Sequence, residues 1–490
     1  MKNAALIYFE DNITENELSF CGSKTYLFIE KALEKSSFDG DVFYSIPAEL
    51  CFSADGRKVI KREAGSSSGW LEIFSNGEYE NIIKIPADAP FIDPHVITEM
   101  LEVHTKYLAE FTYSENLPTG LSCEIFSYDL IKSLPADKDK MLPVTDVIKK
   151  NINNFDVELF YKDPDIRDKR ISFLSGNKRD KIIMERIYAC NGGIPEYKEI
   201  KIIIEEHPEL LFIAPAYYEI ELSFKKEFPG ICSVNSVLKN KRDEMNLSVL
   251  GKIIEEADSF GLEYAVSFAG AGDPFTHSDI AGACDVVLKS SYVSMLILET
   301  DAVFKDRLIF DYMKKKNDDR IKIIAEINGY NKETYSSIHL SENFELAAGN
   351  VLEFKKILGN KNVFLQIQKI NETEAFLDKY YDYWEKEEMS IILMKQNTYL
   401  GLVQDRKYYD LSPVDRMPCW HLQRDLFILA DSSVPFCRED IDGQNSESLK
   451  MKSLRQIWES RLGFFTDNYR GRYPKCPDCS VCDEWYSFNN

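Results

Sequence analysis

The sequence predicts an α/β protein of more than one domain that ends in a cysteine-rich segment. Three observations carry this. The chain has 490 residues, too many for one hydrophobic core, so roughly two or three domains are expected. Apolar strand-like runs alternate with amphipathic helical runs in residues 1–150 and again from 215 onward, the pattern that gives parallel sheets covered by helices. Five cysteines, Cys419, Cys437, Cys476, Cys479 and Cys482, fall close together near the end.

In the first part, Ala4–Phe9 reads as a buried strand, Lys24–Lys35 as an amphipathic helix, and residues 41–45 and 81–85 as further strands. The last of these runs into Pro86–Pro94, and a helix then reaches Ala109. Ligands of open α/β sheets sit beyond the carboxyl ends of strands, where Asp88 falls, and a carboxylate there suits a divalent ion on a nucleotide triphosphate. Ala87–Pro94 resembles the Gly-Asp-Cys-Pro-Leu-Ile-Asp-Pro motif of the sugar-activating cytidylyltransferases, especially the spore-coat polysaccharide type. Pro118–Ser127 resembles a second motif of that family, Asp-Gly-Leu-Asp-Val-Glu-Val-Phe-Ser. The resemblance covers residues 1–135 and implies a GT-A-like nucleotidyltransferase sheet for domain 1–150. Two positions depart from it. Ser122 stands where the family has its second metal-binding aspartate. The loop after the first strand, which in the family is Gly-rich and cationic, here holds Glu10, Asp11, Glu15 and Glu17 and no Lys or Arg. Like charge repels a triphosphate. The expectation is a fold without cytidylyltransferase activity, with Asp88 and Glu124 kept as structural residues.

Residues 151–214 read as a charge-rich connector with strand-like Val157–Tyr161 and Ile171–Leu174, and with a helix that Pro208 closes.

From 215 to 410 the alternation resumes. Tyr218–Ser223 is a strand, an irregular loop runs to Met245, and Leu247, Leu250, Ile253, Ile254 and Ala257 mark one face of a helix. Tyr264–Phe268 is the next strand, followed at once by Gly270, Gly272 and Asp273. Glycines there either admit a ligand to the backbone or make a tight strand–loop turn. Ala271–Pro274 resembles the Gly-Gly-Glu-Pro segment of the radical S-adenosylmethionine barrels, which contacts the cofactor's amine. Met295–Thr300, Ile323–Gly329 and Val363–Lys369 resemble the family's third, fourth and fifth strands. The resemblance implies a partial (β/α) barrel of radical SAM type with its site at the carboxyl face. Gly270, Gly272 and Asp273 would then be where S-adenosylmethionine or a similar amine-bearing ligand rests. The family also carries Cys-x3-Cys-x2-Cys after its first strand, and here that loop keeps only Cys232. Without that cluster no electron reaches the sulfonium, so no 5′-deoxyadenosyl radical is expected.

Residues 411–490 hold the clearest chemistry. Three thiols spaced Cys476-x2-Cys479-x2-Cys482 cannot pair as disulfides with one another without strain, but thiolates are soft ligands, and four suit zinc or an iron–sulfur cluster. Arg416–Cys419, Phe427–Cys437, the Ser453–Trp458 helix and the closing Cys-x2-Cys resemble the SPASM or twitch type of auxiliary-cluster domain. That resemblance implies a [4Fe–4S] cluster on Cys419, Cys437, Cys476 and Cys479, with Cys482 spare or alternative.

The remaining cysteines, Cys21, Cys51, Cys123, Cys190, Cys232 and Cys284, are scattered singly, as reduced thiols of a cytoplasmic protein are. The start of the chain lacks a signal-peptide pattern, and no apolar run is long enough for a membrane span. A net charge of −22 argues against nucleic acid. Taken in order, the three parts resemble the proteins called spiro-SPASM, a name that records a cluster domain and no reaction. The expected function is an iron–sulfur protein with two eroded enzyme folds, working in electron transfer, in sensing or beside an unidentified partner protein. The alternatives are a live enzyme, either S-adenosylmethionine-dependent modification of a peptide or sugar or CTP-dependent nucleotidyl transfer, and a structural zinc protein.

Overall fold

The computed structural model describes residues 2–52, 56–62, 79–134, 144–409, 412–473 and 478–486; Cys476 lies outside them. The protein is α/β and divides into two compact units, residues 1–213 and 214–490.

The first unit is built on a seven-stranded sheet. Its order is Lys58–Arg62, Gly40–Pro47, Lys2–Tyr8, Tyr79–Pro86, Glu124–Ser127, Phe111–Ser114, Val157–Phe160. Glu124–Ser127 runs antiparallel to both neighbours and the other pairings are parallel. Lys2–Tyr8 lies inside the sheet and is buried from Ala4 onward, which explains its unbroken apolar run. Asp93 begins the Pro94–Lys106 helix by accepting the His95 N–H at 2.7 Å, with Pro94 preset at the first helical position. Val157–Phe160 adds to the sheet edge, so residues 151–213 belong to this unit. Ile171–Leu174, read above as strand-like, forms no strand. The Phe173 N–H bonds instead to the Thr119 carbonyl at 2.7 Å, over a turn where Gly120 lets the chains touch.

The second unit also carries a seven-stranded sheet, and every pairing in it is parallel. Its first to sixth strands are Tyr217–Ile220, Tyr264–Phe268, Val293–Thr300, Ile321–Glu326, Val363–Lys369 and Ser390–Lys395. The seventh comes from the cysteine-rich tail: Asp425–Ile428 pairs with the first strand. Sequence reading set this segment apart as a domain of its own, whereas here it completes the barrel sheet.

Registered residues share a face of a sheet, and one face of this sheet is layered. Tyr217, Ala265, Ile297, Ile324, Phe364 and Ile392 pack as an apolar layer. Two residues further toward the carboxyl ends, the same face presents Glu219, Ser267, Glu299, Glu326 and Gln366.

Candidate functional site

Cys419, Cys437, Cys479 and Cys482 wall one small cavity of about 20 Å³ in the second unit, together with Arg416, Glu439 and Glu484. The segments that deliver them are anchored separately. The Cys419 N–H donates to Asn468 Oδ1 at 2.8 Å. Buried Arg461 donates to the Pro435 carbonyl, two residues before Cys437. Arg416 stacks over the Tyr473 ring and donates to the carbonyls of Cys479 and Ser480. Asp483 and Glu484 are tied to Lys395 at the end of the sixth barrel strand, 3.3 Å and 2.6 Å away, and Asp483 also lies 2.5 Å from Lys407 in the segment beyond it. Burial pushes the Cys479 thiol up to about 11 and the Cys419 thiol up to about 12. It pushes Cys437 well above its ordinary value, with Glu439 and the other three cysteines adding to the effect. Four thiols sharing a buried space resist ionisation until a cation joins them. Among the described residues, no three His, Cys, Asp or Glu side chains close on a single metal ion.

A second cavity, of about 130 Å³, opens at the carboxyl ends of the barrel strands, and Arg438 and Glu484 line both cavities. Gly270, Gly272 and Asp273 stand on its wall, but their contacts explain them by packing. A Cβ on Gly272 would lie 2.0 Å from the Ser223 carbonyl oxygen, and Gly270 has φ +121° against Glu221. Asp273 Oδ2 accepts from the Thr300 hydroxyl at 2.8 Å and the Asp301 N–H at 2.9 Å, and Oδ1 accepts the Phe275 N–H at 2.9 Å. Burial, then the Asp301 charge, raises Asp273 to about 6.

The loop after the first strand sends Lys226 into this cavity, where its ammonium lies 3.0 Å from Asp301. Burial opposes that charge, but Asp301 and then Glu326 outweigh it, so the Lys226 pKa is raised. Cys232 of the same loop packs with Ile338 and Ile370, and burial lifts its thiol to about 12. Glu219 lies 3.4 Å from Arg438, and burial raises it to about 7. His339 Nε2 accepts the Asn328 N–H at 3.0 Å, and burial lowers that imidazole to about 4.

In the first unit Asp88, whose position suits a divalent ion, and Glu124, expected as a structural residue, both make internal contacts. Asp88 Oδ2 accepts the Gly176 N–H at 3.2 Å. Glu124 accepts from Lys84 at 3.1 Å and from the Thr145 hydroxyl at 2.8 Å. Asp11, in the acidic loop, pairs at 2.6 Å with Arg62, a cation from a neighbouring strand that the loop's own sequence could not reveal.

No family model matches the chain. A relative from Treponema pallidum, described as an uncharacterized protein, is 27% identical over 359 residues, which is 70% of this chain and 97% of the relative. Among solved structures the chain is similar to a cytidylyltransferase from Leptospira borgpetersenii, with 17% identity, a TM-score of 0.37, and coverage of 43% of this chain and 96% of that one. It is also similar to Streptococcus suis SuiB bound to the precursor peptide SuiA, with 12% identity, a TM-score of 0.45, and coverage of 58% and 74%. A third similar structure is anSMEcpe with bound AdoMet, at 12% identity and a TM-score of 0.40, covering 51% and 82%. Among the described residues no helix is long and apolar enough to cross a membrane.

Sequence reading missed Glu299, Glu326, Gln366 and Lys226 at the barrel mouth. A signal was present for three of them: each is a charged or amide residue near the carboxyl end of an otherwise apolar strand. A buried parallel strand has no structural use for such a residue there.

Proposed function

We propose that the second unit is an iron–sulfur protein module whose cluster is carried by Cys419, Cys437, Cys479 and Cys482. The observation that carries this is the shared cavity: four thiols, brought in by separately anchored segments, face one space. Such a donor set fits a thiolate-bound group. A bound cluster supplies one-electron redox chemistry. The chain's own residues would hold and tune it: Arg416 fixes the backbone at Cys479, and Arg438 connects the cavity wall to Glu219 on the barrel face. The reading differs from the sequence expectation in one ligand, with Cys482 in the place given to Cys476.

The other half of the reading is that both enzyme-like parts work without the activities they resemble, leaving electron transfer, sensing or support of a partner protein. Asp88, Glu124 and Arg62 are each committed to internal contacts, and the Gly270–Asp273 turn is used in packing, so neither gives independent support for CTP or S-adenosylmethionine. The test is anaerobic purification with iron, sulfide and zinc quantified. Iron and sulfide near equal amounts, with charge-transfer absorption in the visible, support the reading, while stoichiometric zinc without iron would sink it. Calorimetry with CTP and magnesium is expected to show no binding; tight binding would restore the nucleotidyltransferase reading.

A further inference from the structure

One helix buries an amide beside the four tail thiols. In Leu462–Tyr469 the residues turned inward are Phe465 and Asn468, three apart and so on one face. Asn468 is 3% exposed and lines the cavity that Cys419, Cys437, Cys479 and Cys482 wall. Its Oδ1 accepts the Cys419 N–H at 2.8 Å. Only the oxygen of the amide can accept there, so this bond fixes the side chain's orientation and leaves Nδ2 on the other branch. Nδ2 is buried and, among the described residues, has no hydrogen-bond acceptor, not even a thiol sulfur.

Burying asparagine is costly unless both ends of its amide are bonded. Cys419 accounts for one end only. Arg416 shows the same deficit on the same wall. It donates from its two terminal nitrogens to the carbonyls of Ser480 and Cys479, while its buried Nε has no acceptor among the described residues. Buried donors are normally satisfied, so two idle ones at one cavity, one of them on a cation, point to an occupant rich in acceptors and negative charge. A zinc ion held by four thiolates brings no acceptor of its own. An iron–sulfur cluster brings sulfides.

We infer that Asn468 Nδ2 donates an N–H···S hydrogen bond to the cluster carried by this cavity and so raises its reduction potential. The inference rests on the iron–sulfur reading and adds to it a tuning residue that is no ligand. The sign follows from charge. Reduction places an electron on the cluster, its sulfurs become more negative, and a hydrogen bond to them strengthens, so the bond favours the reduced state. The two ends of one amide then have separate tasks: Oδ1 positions the Cys419 backbone, and Nδ2 sets the potential.

The test uses the full-length protein, reconstituted anaerobically with iron and sulfide and carrying asparagine labelled with ¹⁵N only at the side-chain amide. Titanium(III) citrate supplies one electron to the cluster, and pulsed EPR then reads nitrogen coupled to the unpaired spin. Asn468 is the only asparagine among the described lining residues, so a ¹⁵N coupling identifies it. The coupling is expected in the parent and absent from Asn468→Leu and Asn468→Asp. Asn468→Leu should also lower the ratio of reduced to oxidised cluster at a fixed applied potential by roughly tenfold, a shift of about 59 mV for one electron. Asn468→Asp keeps an oxygen for the Cys419 N–H, so its spectrum carries the test if Asn468→Leu loses its iron. If neither variant holds iron, the parent spectrum decides alone. An iron-loaded parent without the coupling, or an iron-loaded Asn468→Leu with an unchanged potential, would overturn the inference and leave the iron–sulfur reading standing. A parent that takes up zinc but no iron or sulfide would overturn both.

Discussion

Arg242→Leu tests the joint that assembles the second unit. Glu221, one residue past the first barrel strand, is fully buried, and its side chain and that of Arg242 are 0% and 3% exposed. Glu221 Oε2 accepts from Arg242 Nε at 2.7 Å and from the Ala430 N–H at 3.2 Å. Oε1 accepts from Arg242 Nη2 at 3.0 Å and from the Ala271 N–H at 3.3 Å. One carboxylate therefore joins the first strand, the Gly270–Asp273 turn and the strand contributed by the tail. Leucine keeps much of the apolar stem but leaves the carboxylate buried and uncompensated, a loss of about 3–5 kcal/mol for such pairs. For a unit of this size that lowers the melting temperature on the order of 10 °C. Differential scanning calorimetry reads the shift, and hydrogen exchange around residues 217–245 and 425–441 assigns the transition to the second unit. Adding Glu221→Gln to Arg242→Leu should recover part of the loss, because a neutral amide oxygen still accepts a backbone N–H without a buried charge. A single variant that melts within a few degrees of the parent, or a double variant worse than the single, would refute the reasoning.

Gly272→Ala should destabilise the protein by about 1–3 kcal/mol in urea titrations with no ligand present, because its Cβ would meet the Ser223 carbonyl at 2.0 Å; unchanged stability would free that glycine for a ligand role. Cys482→Ser is expected to lose most of the iron, and iron retained at the parent level would return the fourth ligand to Cys476. His104 is buried, with Thr112 Oγ1 at 2.7 Å and Asn81 Oδ1 at 3.1 Å, and burial lowers it from 6.5 to about 4. The unfolded chain then binds the proton more readily, so this contribution is present above pH 6.5 and is lost as the pH falls toward 4. Its full size is about 3 kcal/mol. Denaturation of the first unit at pH 7 and pH 4.5 measures it, and His104→Gln should flatten the difference.

Much of the strand order was legible because buried parallel strands write themselves as apolar runs. Tyr264–Phe268 and Val363–Lys369 fall where the sequence puts them, and the Leu454–Ser460 helix begins at its Ser453–Gln456 capping box. Ile171–Leu174 misled because a short run with three apolar residues specifies burial and not pairing: a strand also needs a free neighbouring edge, which only the assembled sheet reveals. The pairing of the tail strand Asp425–Ile428 with the first barrel strand was not legible, since it joins residues far apart in sequence.

The functional residues divide along the same line. Cysteines announce themselves by spacing, so the sequence singles out the tail, and the structure adds that Cys419, Cys437, Cys479 and Cys482 line one cavity. Glu299, Glu326 and Gln366 carry no spacing motif, because they come from three separate βα units: Glu326 is registered with Gln366, and Glu299, registered with Ile324, lies on the same face one step away. What sequence does show is a polar residue at the carboxyl end of each strand, where an apolar one would cost less to bury. Glu219 has Arg438 to offset that cost and Asp301 has Lys226. Glu299 and Glu326 have no cation at ion-pair distance among the described residues, and Arg438 and Lys226 offset their charge only through space.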